Sequence, residues 1–122
     1  RLTIVTWGAM VERCVSAAKK FGAGEVEILD LRTIVPWDRE AVVGSVKKTR
    51  RCLIVHEDML TAGFGAEIAA TVAREAFKHL DAPVERLAVA DTPLPYNVGL
   101  LQALLPSAEA IAQKIGELLE YR

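Results

Sequence analysis

The sequence has no apolar run approaching the ~18 residues needed to cross a bilayer. It also lacks a Walker lysine behind a glycine-rich loop, and it carries almost no excess of charge. Its 15 basic side chains are offset by 16 acidic ones. The resulting net charge of −1 sets up no field that would draw in nucleic acid or an anionic membrane. The only cysteines are Cys14 and Cys52, both within apolar periodic segments. Neither has a His or Cys at metal-ligand spacing, so no metal site is expected. They read as buried thiols in a reducing compartment, hence a cytoplasmic chain. The opening "RLTIVTWGAM" has no signal-peptide regions. It starts in mid-strand without a methionine, as if cut from something longer.

What the chain does have is core. With 122 residues, 52% of them hydrophobic, residues 1–122 support one domain that buries about two thirds of its unfolded surface. "LTIV" (Leu2–Val5) is apolar on both faces, as a strand covered on both sides must be. Val11, Cys14, Val15, Ala18 and Phe21 then share a helical face, which Gly22 and Gly24 end. "VEILDL" (Val26–Leu31) is a second strand. Asp38 caps the following helix, with Glu40 in its first turn and Trp37 and Val42 at staple positions. "CLIV" (Cys52–Val55) is the third strand and "PVERLAVA" (Pro83–Ala90) the fourth. Between them Ile68, Ala69, Val72, Ala73, Ala76, Phe77 and Leu80 form a helical stripe. "DTPLPY" (Asp91–Tyr96) is loop, because two prolines exclude regular pairing. A last helix begins at the cap Ser107 and buries Ile111, Ala112, Ile115, Leu118 and Leu119.

Strand–helix alternation at this spacing predicts an α/β fold: three layers, α/β/α, around a mainly parallel sheet. The second and fourth strands are the least apolar, so the strand order is 2-1-3-4. The winding then reverses between strands one and three, where open sheets bind ligands. Two loops meet there, "TWGA" and "HEDMLTAGFG".

Two readings of His56 and Glu57 stand. They form a proton-transfer pair, imidazole plus orienting carboxylate, or they hold the crevice in shape. No Ser or Cys nucleophile and no second His accompanies them. With Gly8, Gly63 and Gly65 they also outline a possible anion cradle at a helix N-terminus. Against this, Ile68 stands where G-x-G-x-x-G needs its third glycine, and Asp58 repels phosphate, so Gly63 and Gly65 read instead as a tight entry turn with close helix packing. "KKTRR" (Lys47–Arg51) reads as a solvated helix end, with an acidic docking partner as the alternative. Trp7 and Trp37 stand in a loop and at a cap, where the domain's own core hardly accounts for a large ring; Trp7, the better candidate, and the stiff "DTPLPY" suit an interface.

Taken together, "VTWGAMV", "EILDLRTIVPWD", "SVKKTRRCLIVHED", "GFGAEIAATVAREAF", "LDAPVERLAVADTPLPY" and "LLPSAEAI" resemble, over the whole chain, one family. It is the C-terminal, transketolase C-terminal-like domain of beta subunits of thiamine-diphosphate-dependent 2-oxo-acid dehydrogenases, of pyruvate or branched-chain type. The resemblance implies an intact enzyme that decarboxylates a 2-oxo acid and acylates lipoyl groups. The implied partners are an alpha subunit and a second beta subunit (alpha-2-beta-2) and a dihydrolipoyl acyltransferase core. Thiamine diphosphate and magnesium belong to parts of the enzyme outside these residues, so this stretch is expected to bind neither and to catalyse nothing alone. Interface residues are expected at Trp7, Asp91, Pro93, Pro95, Tyr96 and Leu101. At Leu101 the family usually has an acidic residue, so apolar packing against a partner replaces a polar contact. The alternatives are the matching domain of a transketolase or deoxyxylulose-phosphate synthase, and a stand-alone small-anion-binding module.

Overall fold

The structure is a computed structural model that describes residues 1–89, 99 and 103–121. Its strands are β1 (Leu2–Thr6), β2 (Val26–Asp30), β3 (Cys52–Met59) and β4 (Glu85–Val89). The helices are α1 (Met10–Ala18), α2 (Arg39–Thr49), α3 (Phe64–Glu75) and α4 (Ala108–Glu120), with a 3₁₀ turn at Phe77–His79. The sheet order is β2-β1-β3-β4, and every pairing is parallel, with Ile4 opposite both Ile28 and Leu53.

Alternation along the central strands divides the core in two. Leu2, Ile4, Leu53 and Val55 meet α1 and α4 on one face, while Val5, Cys52 and Ile54 meet α2 and α3 on the other. All five residues of β1 are buried, whereas β2 is only half-buried. That contrast is the physical basis of the strand order. Asp38 caps α2 by accepting from the Ala41 amide at 3.1 Å. Ser107 does the same for α4 through the Ala110 amide, also at 3.1 Å.

One polar patch interrupts the apolar contact between α2 and β1. The Thr3 hydroxyl lies 2.7 Å from Ser45 Oγ and 2.6 Å from Thr49 Oγ1. Ser45 donates onward to Glu27 (2.7 Å) and Thr49 to the Arg51 carbonyl (3.1 Å). Lys48 completes the chain with an ion pair to Glu27 at 2.8 Å.

Three local expectations change. The buried face of α1 is Met10, Cys14 and Ala17, while Val15 is 41% exposed. Packing turns Met10 and Ala17, rather than Val11 and Val15, toward the core. The stripe after β3 is broken at Ala76, which leaves α3 for the 3₁₀ turn. Ile68, Val72 and Ala76 are buried, but Ala73 is exposed and Phe77 is 73% exposed. Finally, β3 does not stop at Val55. It runs on through His56, Glu57 and Asp58 to Met59, and its pairing with β4 shifts register between Val55 and Met59. Such a bulge keeps polar residues in a strand where simple alternation would end it. Asp91, Pro93, Pro95, Tyr96 and Leu101 lie outside the described residues.

Candidate functional site

The two segments that the topology brings together, Trp7–Gly8 and His56–Gly65, do meet at the C-terminal ends of β1 and β3. The period of two carries Cys52, Ile54 and then His56 toward the α2–α3 layer, so the imidazole is fully buried. Glu57 leaves on the opposite side and is exposed. Among the described residues no hydrogen bond joins the two.

Aromatic packing fills the crevice. Trp7 stacks on the His56 ring with centroids 5.2 Å apart and planes 8° from parallel. Phe64, at the start of α3, meets Trp7 edge-on at 5.9 Å and Trp37 edge-on at 6.2 Å. Each such pair contributes ~0.5–1.5 kcal/mol beyond the area it buries. Both tryptophans expected to be hard to place in the domain's own core are thus half-buried in it.

The protonation state of His56 follows from its neighbours. The Asp58 amide donates to Nδ1 at 3.2 Å, so the neutral ring carries its proton on Nε2. That Nε2 is buried without a hydrogen-bond partner among the described residues. Burial is the main cause that lowers the pKa of His56 below 6.5; Asp58 opposes the shift and Arg86 reinforces it. A general base must offer a lone pair within reach of a substrate proton. Here the only lone pair is taken by a backbone amide, and Nε2 is sealed against α3.

The glycines belong to the same packing. A Cβ on Gly65 would overlap the His56 ring, and one on Gly63 would overlap the Met59 carbonyl oxygen. Gly8 adopts φ +64°, a left-handed turn, with Glu57 Oε1 3.7 Å from where its Cβ would stand. Close helix–strand approach accounts for Gly63 and Gly65. An anion at the α3 N-terminus would meet exposed Glu57 and Asp58, and Glu67 already complements that end of the helix.

Part of the charged surface is paired. Arg50 donates to both Asp81 oxygens (2.9 and 3.1 Å), which consumes part of the "KKTRR" run together with the Lys48–Glu27 pair. The thiols are inert: burial pushes Cys14 up to about 11 and Cys52 to about 12. Two concave regions lie away from the crevice. A cavity of about 390 Å³ opens beyond β2, lined by Asp30, Arg32, Thr33, Pro36, Trp37 and Asp38. A groove of about 750 Å³ runs between α3 and β4, past Ala69, Ala73, Phe77, Pro83, Val84 and Tyr121.

Arg86 escaped the sequence reading, and Asp58 entered it only as repelling phosphate, although both act on the site. Asp58 works through its backbone and Arg86 through the Leu60 carbonyl, to which it donates at 2.6 Å. Neither role has a side-chain signature. The periodicity of β4, which sets the face of Arg86, was the one available signal. Among the described residues no cluster of three or more His, Cys, Asp or Glu is placed to hold a metal, and the crevice rim carries carboxylates.

Fold and site together define a doubly wound α/β module whose ligand crevice is closed by its own aromatic side chains. The chain belongs to the transketolase C-terminal domain family, whose sequence profile matches residues 1–111. It is 48% identical over 95 residues to the 2-oxoisovalerate dehydrogenase subunit beta of Pseudomonas aeruginosa, covering 78% of this chain and 27% of that protein. It is 41% identical over 122 residues to the pyruvate dehydrogenase E1 component subunit beta of Rickettsia conorii, covering 98% of this chain and 37% of that one. A solved structure described as a split gene transketolase, inactive beta4 tetramer, superposes with a TM-score of 0.74 at 24% identity. That match spans 98% of this chain and 38% of the solved one, and it establishes the fold. The chain spans about a third of the length of the two dehydrogenase subunits it matches.

Proposed function

We propose that these residues form the C-terminal domain of the beta subunit of a thiamine-diphosphate-dependent 2-oxo-acid dehydrogenase, of pyruvate or branched-chain type. Its role is assembly and docking. The observation that carries the reading is 41% identity across 98% of the chain to a pyruvate dehydrogenase E1 beta subunit. The geometry of His56 agrees with it: a buried imidazole without an accessible lone pair holds a wall in place and moves no substrate proton. In this reading the rest of the enzyme binds thiamine diphosphate and magnesium. The partners are the alpha subunit, a second beta subunit and a dihydrolipoyl acyltransferase core. The chemistry of the whole is oxidative decarboxylation with acyl transfer to lipoyl groups.

Two measurements test this. Titrating thiamine diphosphate with magnesium into the 122-residue chain is expected to release no binding heat. Co-expression of the alpha subunit with a beta subunit lacking these residues is expected to yield no alpha–beta assembly. Tight cofactor binding by the chain alone, or full assembly without it, overturns the proposal.

A further inference from the structure

His56 is a buried titratable group that the assembly role does not use. Several bonds among the described residues hold the segment after it, in which Thr61 also has a partner. The Asp58 amide donates to His56 Nδ1 at 3.2 Å, and the Met59 amide donates to the Asp58 carboxylate at 2.7 Å. The Leu60 amide donates to the Val89 carbonyl at 3.0 Å. Arg86 grips the Leu60 carbonyl at 2.6 Å. Only the first of these depends on the protonation state of the imidazole.

We propose that His56 is a pH-sensitive latch for the wall formed by residues 57–63. A proton taken from solvent at Nδ1 turns that atom from acceptor to donor, directly opposite the Asp58 N–H. Two donors then face each other and the bond is lost. The new Nδ1–H bonds instead to the Asp58 carboxylate, which gives up the Met59 amide to receive it. The imidazolium also lies against Gly65 in the first turn of α3, where the helix presents its positive end and disfavours a second positive charge. Arg86 and the Leu60–Val89 bond remain as anchors, so the movement is confined to Glu57–Met59 and Gly63. The Trp7 stack on the imidazole changes with it.

The surrounding charges set the direction. On its own strand His56 faces Asp58, which favours the imidazolium; Arg86 on β4 opposes it. The turn after β1 contributes the uncharged Trp7 and Gly8. The first turn of α3 contributes Phe64, Gly65 and the exposed Glu67. Glu57 is turned outward, beside Gly8. Burial places the transition below 6.5. The latch stands whether or not the domain serves assembly.

The test is a titration of the 122-residue chain from pH 8 to 4.5, followed by imidazole and amide nitrogen shifts and by tryptophan fluorescence. The expected result is a His56 midpoint below 6.5, with the Asp58 and Gly65 amides and the indole emission moving at that same midpoint. Asp58→Asn is expected to lower the midpoint further. His56→Asn, which keeps an acceptor near the Nδ1 position, is expected to abolish the amide movement. A His56 midpoint at or above 6.5, amides that stay still through it, or amide movement that persists in His56→Asn overturns the proposal.

Discussion

In the first turn of α3 an alanine would ordinarily be more favourable than glycine by up to ~1 kcal/mol. At Gly65 the added methyl would run into the His56 ring and lie 3.3 Å from Ile54 Cγ2. Overpacking of a buried contact costs ~1–3 kcal/mol, so the clash outweighs the helix preference. Gly65→Ala is expected to lower the melting temperature and to disturb the Trp7–His56 stack, visible in near-ultraviolet circular dichroism. An unchanged or higher melting temperature would show that His56 yields freely. The sequence disclosed that the two glycines allow close approach. It did not disclose what approaches, because His56 was read as lying in a loop beyond the strand.

At the level of elements, α2 closes on a residue of unusual backbone. Arg50 occupies the left-handed region at φ 72°, and its amide reaches the Val46 carbonyl at 2.7 Å. A glycine at this helix end would adopt the same turn without strain. Arg50 instead adds the two-bonded contact to Asp81, and its own carbonyl accepts the Asp81 amide at 2.8 Å. Arg50→Gly removes both the side-chain contact and the strain, whereas Arg50→Ala removes the contact alone. Thermal unfolding is expected to place Arg50→Gly closer to the native chain than Arg50→Ala, and the reverse order would mean that the turn is unstrained. The elements themselves were largely legible. Runs such as Leu2–Val5 and Cys52–Val55, with Asp38 and Ser107 as caps, specified strands, helix starts and sheet order. What escaped was phase and ending. One residue of rotation separates Met10–Cys14–Ala17 from the face built on Val11 and Val15, and a bulge extends β3 through three polar residues. Both are settled by packing partners distant in sequence.

Across the whole molecule, titrating groups predict the shape of stability against pH. His56 is held below 6.5 chiefly by burial. Glu27 and Glu117 are held below 4.5, chiefly by Lys48 and Lys114, and Asp81 is held below 3.8 by Arg50. Each depressed group contributes stability present above its unfolded pKa and lost as pH falls through the folded one. Cys14 and Cys52 are shifted the opposite way, from 9.0 to about 11 and about 12. Their contribution is complete below 9.0 and lost as pH rises toward those values. Apart from the N-terminal amine, which burial holds below 8.0, these groups are expected to leave urea midpoints level between about 6.5 and 9. The midpoints should fall in two steps on the acid side and one on the basic side. About 1 M salt, with a Debye length of ~3 Å, is expected to shrink the lower acid step, which rests on exposed ion pairs. The His56 and thiol steps should persist. A single acid step that salt abolishes would remove His56 from the account.

The hydroxyls between α2 and β1 carry a further consequence. Thr3, Ser45 and Thr49 hold three protons for the four contacts among themselves, Glu27 and the Arg51 carbonyl. With Glu27 ionised beside Lys48, one contact always lacks a proton. Ser45 donates to Glu27 and Thr49 to the Arg51 carbonyl, so Thr3 can donate to only one of Ser45 and Thr49, and its other contact is the one forgone. A protonated Glu27 would donate to Ser45 and supply the missing proton, and the row would then run in one direction, from Glu27 to the Arg51 carbonyl. One carboxylate on β2 thus sets the polarity of the whole row.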